Sequence, residues 1–81
     1  MSGNEVTNCI RRLRFEHGEM TQQELADKAG VTRQTIIAIE SGRYMPSLPL
    51  AFKLARIFGL GVEEVFQPAG ESPNRPDLYK K

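Results

Sequence analysis

Residues 22–43 read QQELADKAGVTRQTIIAIESGR, and four positions in that stretch decide the fold. Ala26 is small where two helices would touch, Gly30 stands at a bend, and Ile36 and Ile39 would seal the second helix against the first. Two short helices that cross steeply need a small residue at the contact and a permissive backbone at the turn. Each residue alone is commonplace, but the set at this spacing predicts a helix-turn-helix. Thr21 can cap the first of the two helices while Glu24 reaches back to it, a reciprocal capping box. Thr32 is the corresponding cap of the second, which the pattern carries to Ser41 before Gly42.

Outward from this pair, Val6, Cys9, Ile10 and Leu13 recur at helical spacing and predict a first helix from residue 6 to about residue 17, stopped at Gly18. Ser47 is the expected cap of a fourth helix through Phe58. Pro49 is tolerable there because first-turn amides have no partner inside the helix. A short fifth helix over residues 62–66 brings Val65 and Phe66 to the base of the core, with Glu63 and Glu64 near its positive end. No strand is expected. Beyond residue 66, Pro68, Gly70, Pro73 and Pro76 lie among polar residues that bury too little surface to offset ordering. The expected architecture is therefore all-α, a five-helix domain over residues 1–66 with a flexible tail over residues 67–81.

A chain of 81 residues sits near the size at which one core is only just sufficient, and it has little room for a large enzyme cleft. Cys9 is the only cysteine, which excludes an internal disulfide and fits a reducing compartment. No apolar run approaches the roughly 20 residues that span a bilayer, and the N-terminus has no signal-peptide pattern, so a cytoplasmic protein without a membrane partner is expected. With one His, one Cys and no Gly-rich phosphate loop after a strand, the sequence gives no support for an enzyme, a metal site, a cofactor or a small-molecule ligand. The formal net charge of +1 is far from strongly basic. Up to Met45, Arg11, Arg12, Arg14, Lys28, Arg33 and Arg43 are balanced by Glu5, Glu16, Glu19, Glu24, Asp27 and Glu40.

A helix advances about 100° per residue, which turns Ile36, Ile39 and Glu40 toward the body and leaves Gln34 and Ala38 near the opposite pole. Arg33 lies in the first turn and Ile37 on the flank of that outer face. Arg can fork onto guanine O6 and N7, Gln can pair with adenine N6 and N7, and an apolar side chain can meet the thymine methyl. Arg33, Gln34, Ile37 and Ala38 are thus expected to read bases of double-stranded DNA in the major groove. Gln22, Thr32, Arg43 and Tyr44, at helix ends, are expected to hold phosphates and set register. Glu40 on an inward edge needs a partner, and Arg14 beside the stripe of the first helix is the expected one, a structural ion pair.

In the fourth helix Leu48, Ala51, Leu54, Ala55 and Phe58 would supply the core, leaving Leu50 and Ile57 on one flank and Phe52 on the other. A helix apolar nearly all round is buried on more than one side. Leu50, Phe52, Ile57 and Phe15 are accordingly a candidate homodimer surface, with Leu78 and Tyr79 of the tail as the other occupant of the same patch.

The segments LRFEHGEMTQQELADKAGVTRQTIIAIESGRYMPSL and LAFKLARIFGLGVEEVF resemble the small bacterial and archaeal Xre-type regulators, the lambda-repressor-like helix-turn-helix proteins. The resemblance covers residues 10–66. It implies a five-helix DNA-binding domain, a phosphate contact at Gln22, an Arg-Glu pair at Arg14 and Glu40, and base reading at Arg33, Gln34 and Ala38. Glu19 is an apparent extra residue between Gly18 and Met20 relative to the commoner form. The expected function is a transcriptional regulator that binds a pseudo-palindromic operator as a homodimer. The alternative is a protein-interaction module, such as an antitoxin-like partner docking a second protein through the fourth helix.

Overall fold

The computed structural model describes residues 6–68, which form β1 (Val6–Asn8), α1 (Ile10–Glu16), α2 (Gln22–Ala29), α3 (Arg33–Glu40), α4 (Leu48–Ile57), α5 (Val62–Val65) and β2 (Phe66–Pro68). All five expected helices are present. The caps explain where they start: Thr21 Oγ1 accepts from Glu24 N at 3.0 Å while Glu24 Oε1 accepts from Thr21 N at 2.9 Å, completing the capping box of α2. Thr32 Oγ1 accepts from Thr35 N at 3.2 Å and Ser47 Oγ from Leu50 N at 3.3 Å. The turn between α2 and α3 depends on Gly30, whose φ of 74° is left-handed, a conformation that costs an L residue a Cβ clash. Backbone bonds from Gly30 N to Asp27 O and from Val31 N to Ala26 O then close the end of α2.

α2 packs most extensively on α3, and α4 closes over α2. Between them lie Ile10, Leu25, Ala26, Ile36, Leu54 and Val65, all fully buried. Ala26 allows the close crossing of α2 and α3, and Lys53 from α4 donates to Ala29 O at 3.2 Å across the negative end of α2. No buried side-chain polar atom among the described residues lacks a hydrogen-bond partner. None of the described helices is long and apolar enough to cross a membrane.

The structure corrects the sequence reading at three places. Val6 belongs to a strand and not to α1: Val6, Thr7 and Asn8 pair antiparallel with Pro68, Gln67 and Phe66. Cys9 N continues the ladder to Val65 O at 3.1 Å, so α1 starts only at Ile10. Secondly, Gln67 and Pro68 are ordered in β2, and the boundary drawn after residue 66 falls inside that strand. Pro68, at the strand's last position on a two-stranded sheet, is where a residue without an N–H is tolerated. The rest of the expected tail, residues 69–81 with Leu78 and Tyr79, lies outside the described residues. Thirdly, Leu48 is 64% exposed and not part of the core. It occupies the first turn of α4, ahead of the point where that helix meets the core at Ala51, Leu54 and Ala55.

The α1–α2 loop turns through an unusual stretch of backbone. Gly18 and Glu19 have φ of 79° and 55°, two consecutive left-handed residues, and Glu19 is the only described non-glycine residue with positive φ. The detour ends where Met20 N bonds back to Arg14 O at 2.8 Å, leaving the start of α2 in place.

Candidate nucleic-acid interface

The outward face of α3 follows from what its inward face holds. Ile36 and Ile39 are buried to within 1% of complete, which fixes the rotation of the helix about its axis. Arg33 and Gln34 are then exposed, and Ile37 and Ala38 are half-buried on the same helix. Of the expected base readers, the first two are exposed and the second two are partly covered.

Glu40, at the end of α3, is fixed by three donors. Arg14 Nε reaches Glu40 Oε2 at 2.6 Å and Arg14 Nη2 reaches Oε1 at 3.1 Å, a two-pronged pair whose side chains are only 14% and 10% exposed. Gln22 Nε2 donates to the same Oε1 at 3.1 Å. The remaining arm of Arg14, Nη1, donates to Met20 O at 2.8 Å in the loop before α2. One carboxylate thus ties together α1, the start of α2 and the end of α3. The expected pair is present, and Gln22 joins it.

The expected phosphate contacts occupy the ends of the two motif helices. Gln22 is half-buried at the start of α2, its amide held by Glu40. Thr32 is exposed, with its hydroxyl engaged in capping α3 and 3.1 Å from that of Thr35. Arg43 and Tyr44 are exposed beyond the other end of α3, where their backbone amides bond to Ala38 O at 2.9 and 3.2 Å after the left-handed Gly42. These four residues therefore bracket α3 at both ends. Of the candidate dimer residues, Phe15 is 69% and Phe52 49% exposed, whereas Leu50 and Ile57 are half-buried against the core.

One positioning residue escaped the sequence reading. Asn8 Oδ1 accepts from Ile10 N at 3.1 Å, a local turn bond ahead of α1, whose N-cap is Cys9, while Asn8 Nδ2 donates to Ile39 O at 3.0 Å and engages a carbonyl in the last turn of α3. An Asn whose side chain can bond the backbone two residues on is a turn signal. It was hidden because Val6 fitted the apolar spacing of the following helix.

A family model described as helix-turn-helix matches residues 10–65. An HTH-type transcriptional regulator of Methanocaldococcus jannaschii is 62% identical over 61 residues, covering 75% of this chain and 91% of the relative. One from Bacillus subtilis is 46% identical over 61 residues with the same coverage, 75% and 91%. Among solved structures, the restriction-modification controller protein of Aeromonas hydrophila superposes with a TM-score of 0.62 at 31% identity, over 68% of this chain and 82% of that one. The family match spans α1 to α5 and contains the Arg14–Glu40 clamp and the whole of α3. The chain belongs to the helix-turn-helix family, as an Xre-type transcriptional regulator with a DNA-binding fold and not as an enzyme.

Proposed function

We propose that this regulator binds a specific, pseudo-palindromic operator as a homodimer in the cytoplasm, setting one α3 into each of two successive major grooves about 34 Å apart. The observation that carries the reading is the division of α3: Ile36, Ile39 and Glu40 are locked into the body, while Arg33 and Gln34 project from it unburied. Arg33 and Gln34 supply the forked donors that distinguish guanine and adenine, and Ile37 and Ala38 offer apolar surface to a thymine methyl. Gln22, Thr32, Arg43 and Tyr44 grip phosphates on either side and fix the register. Occupancy of the operator is then the regulatory event.

The dimer reading is supported by apolar surface that the described chain leaves uncovered. Met45, Leu48 and Phe52 are 54%, 64% and 49% exposed, and a groove lined by Val6, Met45, Leu48, Val62 and Phe66 adjoins them. This moves the centre of the patch from Leu50 and Ile57 toward the start of α4. A single symmetric contact between two copies would cover it on both. Docking of a different protein, the second reading, draws on the same exposed residues.

Selection of bound duplexes from a random pool tests the operator, and sedimentation tests the assembly. The expected result is an enriched sequence with two-fold symmetry and half-site centres 10–10.5 base pairs apart or a multiple of that. A Phe52→Glu variant is expected to sediment as a monomer and to select only a half-site. An asymmetric single site bound by a monomer at high micromolar concentration would rule out the dimer and favour the second reading for the α4 patch.

A further inference from the structure

α1 carries three arginines within four residues, Arg11, Arg12 and Arg14, and the structure gives each a different situation. Arg14 has all three of its nitrogens engaged, by Glu40 and by Met20 O, and its charge is cancelled by the carboxylate. Arg12 Nε lies 3.5 Å from Glu16 Oε2 on the open surface, an exposed pair one turn apart. Arg11 is exposed and makes no ion pair among the described residues. Yet it lines an open concavity with Arg14, Gln22, Gln23, Arg33 and Glu40, which joins α1 to the start of α2 and the start of α3.

Three guanidinium groups meet one carboxylate there, so the concavity is cationic. Most of its other donors are held internally: Gln22 Nε2 by Glu40 at 3.1 Å, and Gln23 Nε2 by Asp27 Oδ1 at 2.9 Å. Among the described residues, Arg11 and Arg33 are the two cations of this lining with donors left for an external acceptor. Arg33 stands at the edge where the concavity meets the outward face of α3. Arg11 lines the same concavity from a different helix, α1.

We infer that the concavity seats one phosphodiester of the DNA backbone, with Arg11 as its principal cation and Gln22 beside it. The inference rests on the DNA-binding reading above and adds to it a contact from outside the helix-turn-helix. An acceptor held between α1 and the first turn of α3 fixes how deep α3 sits in the groove. Arg11 therefore adds affinity and register without distinguishing bases.

Arg11→Gln, Arg11→Lys and a control Arg12→Gln are compared with the unaltered chain. Binding is measured over a range of NaCl to the selected operator and to an unrelated duplex of equal length, with far-ultraviolet circular dichroism confirming the fold of each variant. Arg11→Gln is expected to weaken both duplexes roughly tenfold. It should lower the slope of log K against log salt by about 0.9 per protomer while selecting the same sequence as before. Arg11→Lys should keep the slope, and Arg12→Gln should match the unaltered chain. A wild-type slope and affinity in Arg11→Gln would overturn the inference, and so would a change in the selected sequence. If the unaltered chain prefers no sequence but Arg11→Gln still lowers the slope on unrelated DNA, the phosphate seat stands and the operator reading falls. If the operator is selected and the slope does not move, the reverse holds.

Discussion

Changing Arg33 and Gln34 together to alanine is expected to remove about 2–6 kcal/mol of operator affinity, since each forked side chain contributes about 1–3 kcal/mol of discrimination between bases. Binding to unrelated DNA should fall far less, because the phosphate contacts proposed at both ends of α3 remain. The fold should be untouched: both residues are exposed, neither side chain has a hydrogen bond or ion pair among the described residues, and alanine suits a helix. Titration of a labelled operator and an unrelated duplex measures both changes, and thermal denaturation should show a stability change within about 0.5 kcal/mol. A double variant that retained its original preference would mean that the first turn of α3 does not read bases.

Glu40→Ala should act in the opposite order, on the fold first. Removing the carboxylate leaves the Arg14 guanidinium, only 14% exposed, with Met20 O as its single partner, and releases the amide of Gln22. Breaking one side of such a pair costs about 3 kcal/mol, which in a domain this small lowers the melting temperature by roughly 15 °C. The decisive comparison is the double change Arg14→Met with Glu40→Leu. Replacing both charges by apolar groups of similar volume should recover most of the lost stability, because no unpaired charge remains. Below its melting temperature, Glu40→Ala should still select the same sequence with weaker affinity, the loss coming from a Gln22 no longer held in place. If Glu40→Ala melted like the unaltered chain, the clamp would not be structural.

The parts of this molecule that were legible in the sequence are those whose constraints are local. Thr21 with Glu24, Thr32 and Ser47 declare helix starts through bonds within one turn, and Gly30 declares a bend through its own φ. The Arg14–Glu40 pair was legible for a different reason: an inward carboxylate requires a cation, and few stand near the first helix's stripe. Strands of three residues carry no readable alternation, and pairing of Thr7 with Gln67 is a contact between residues 60 apart in sequence that only the folded core brings together. Leu48 was misplaced because a helical wheel assigns direction but not whether anything lies opposite. In the first turn of α4 nothing among the described residues covers it. The difference between Arg11 and Arg12 was likewise invisible, since it depends on which side of α1 faces the start of α2.

At the site, residue chemistry indicated which side chains suit base edges, and burial of Ile36 and Ile39 set which of them project. Ile37 and Ala38 lie lower than the wheel suggested, so discrimination should rest more on Arg33 and Gln34. The near-neutral charge points the same way. With a formal net charge of +1, few cations are available for general attraction to DNA, and the individual contacts proposed for Arg11 and Arg33 should carry a larger share.

Atom-level substitution in the selected operator reports whether α3 reads base edges in the major groove. Replacing guanine and adenine by their 7-deaza forms removes the major-groove N7 acceptor, and replacing guanine by inosine removes the minor-groove amino group. Affinity should fall about tenfold at the base pairs facing Arg33 and Gln34 when N7 is removed, and should hold when the minor-groove amino group is removed. Loss with inosine and indifference to 7-deaza bases would place the contact in the minor groove, and α3 would not be a major-groove reader.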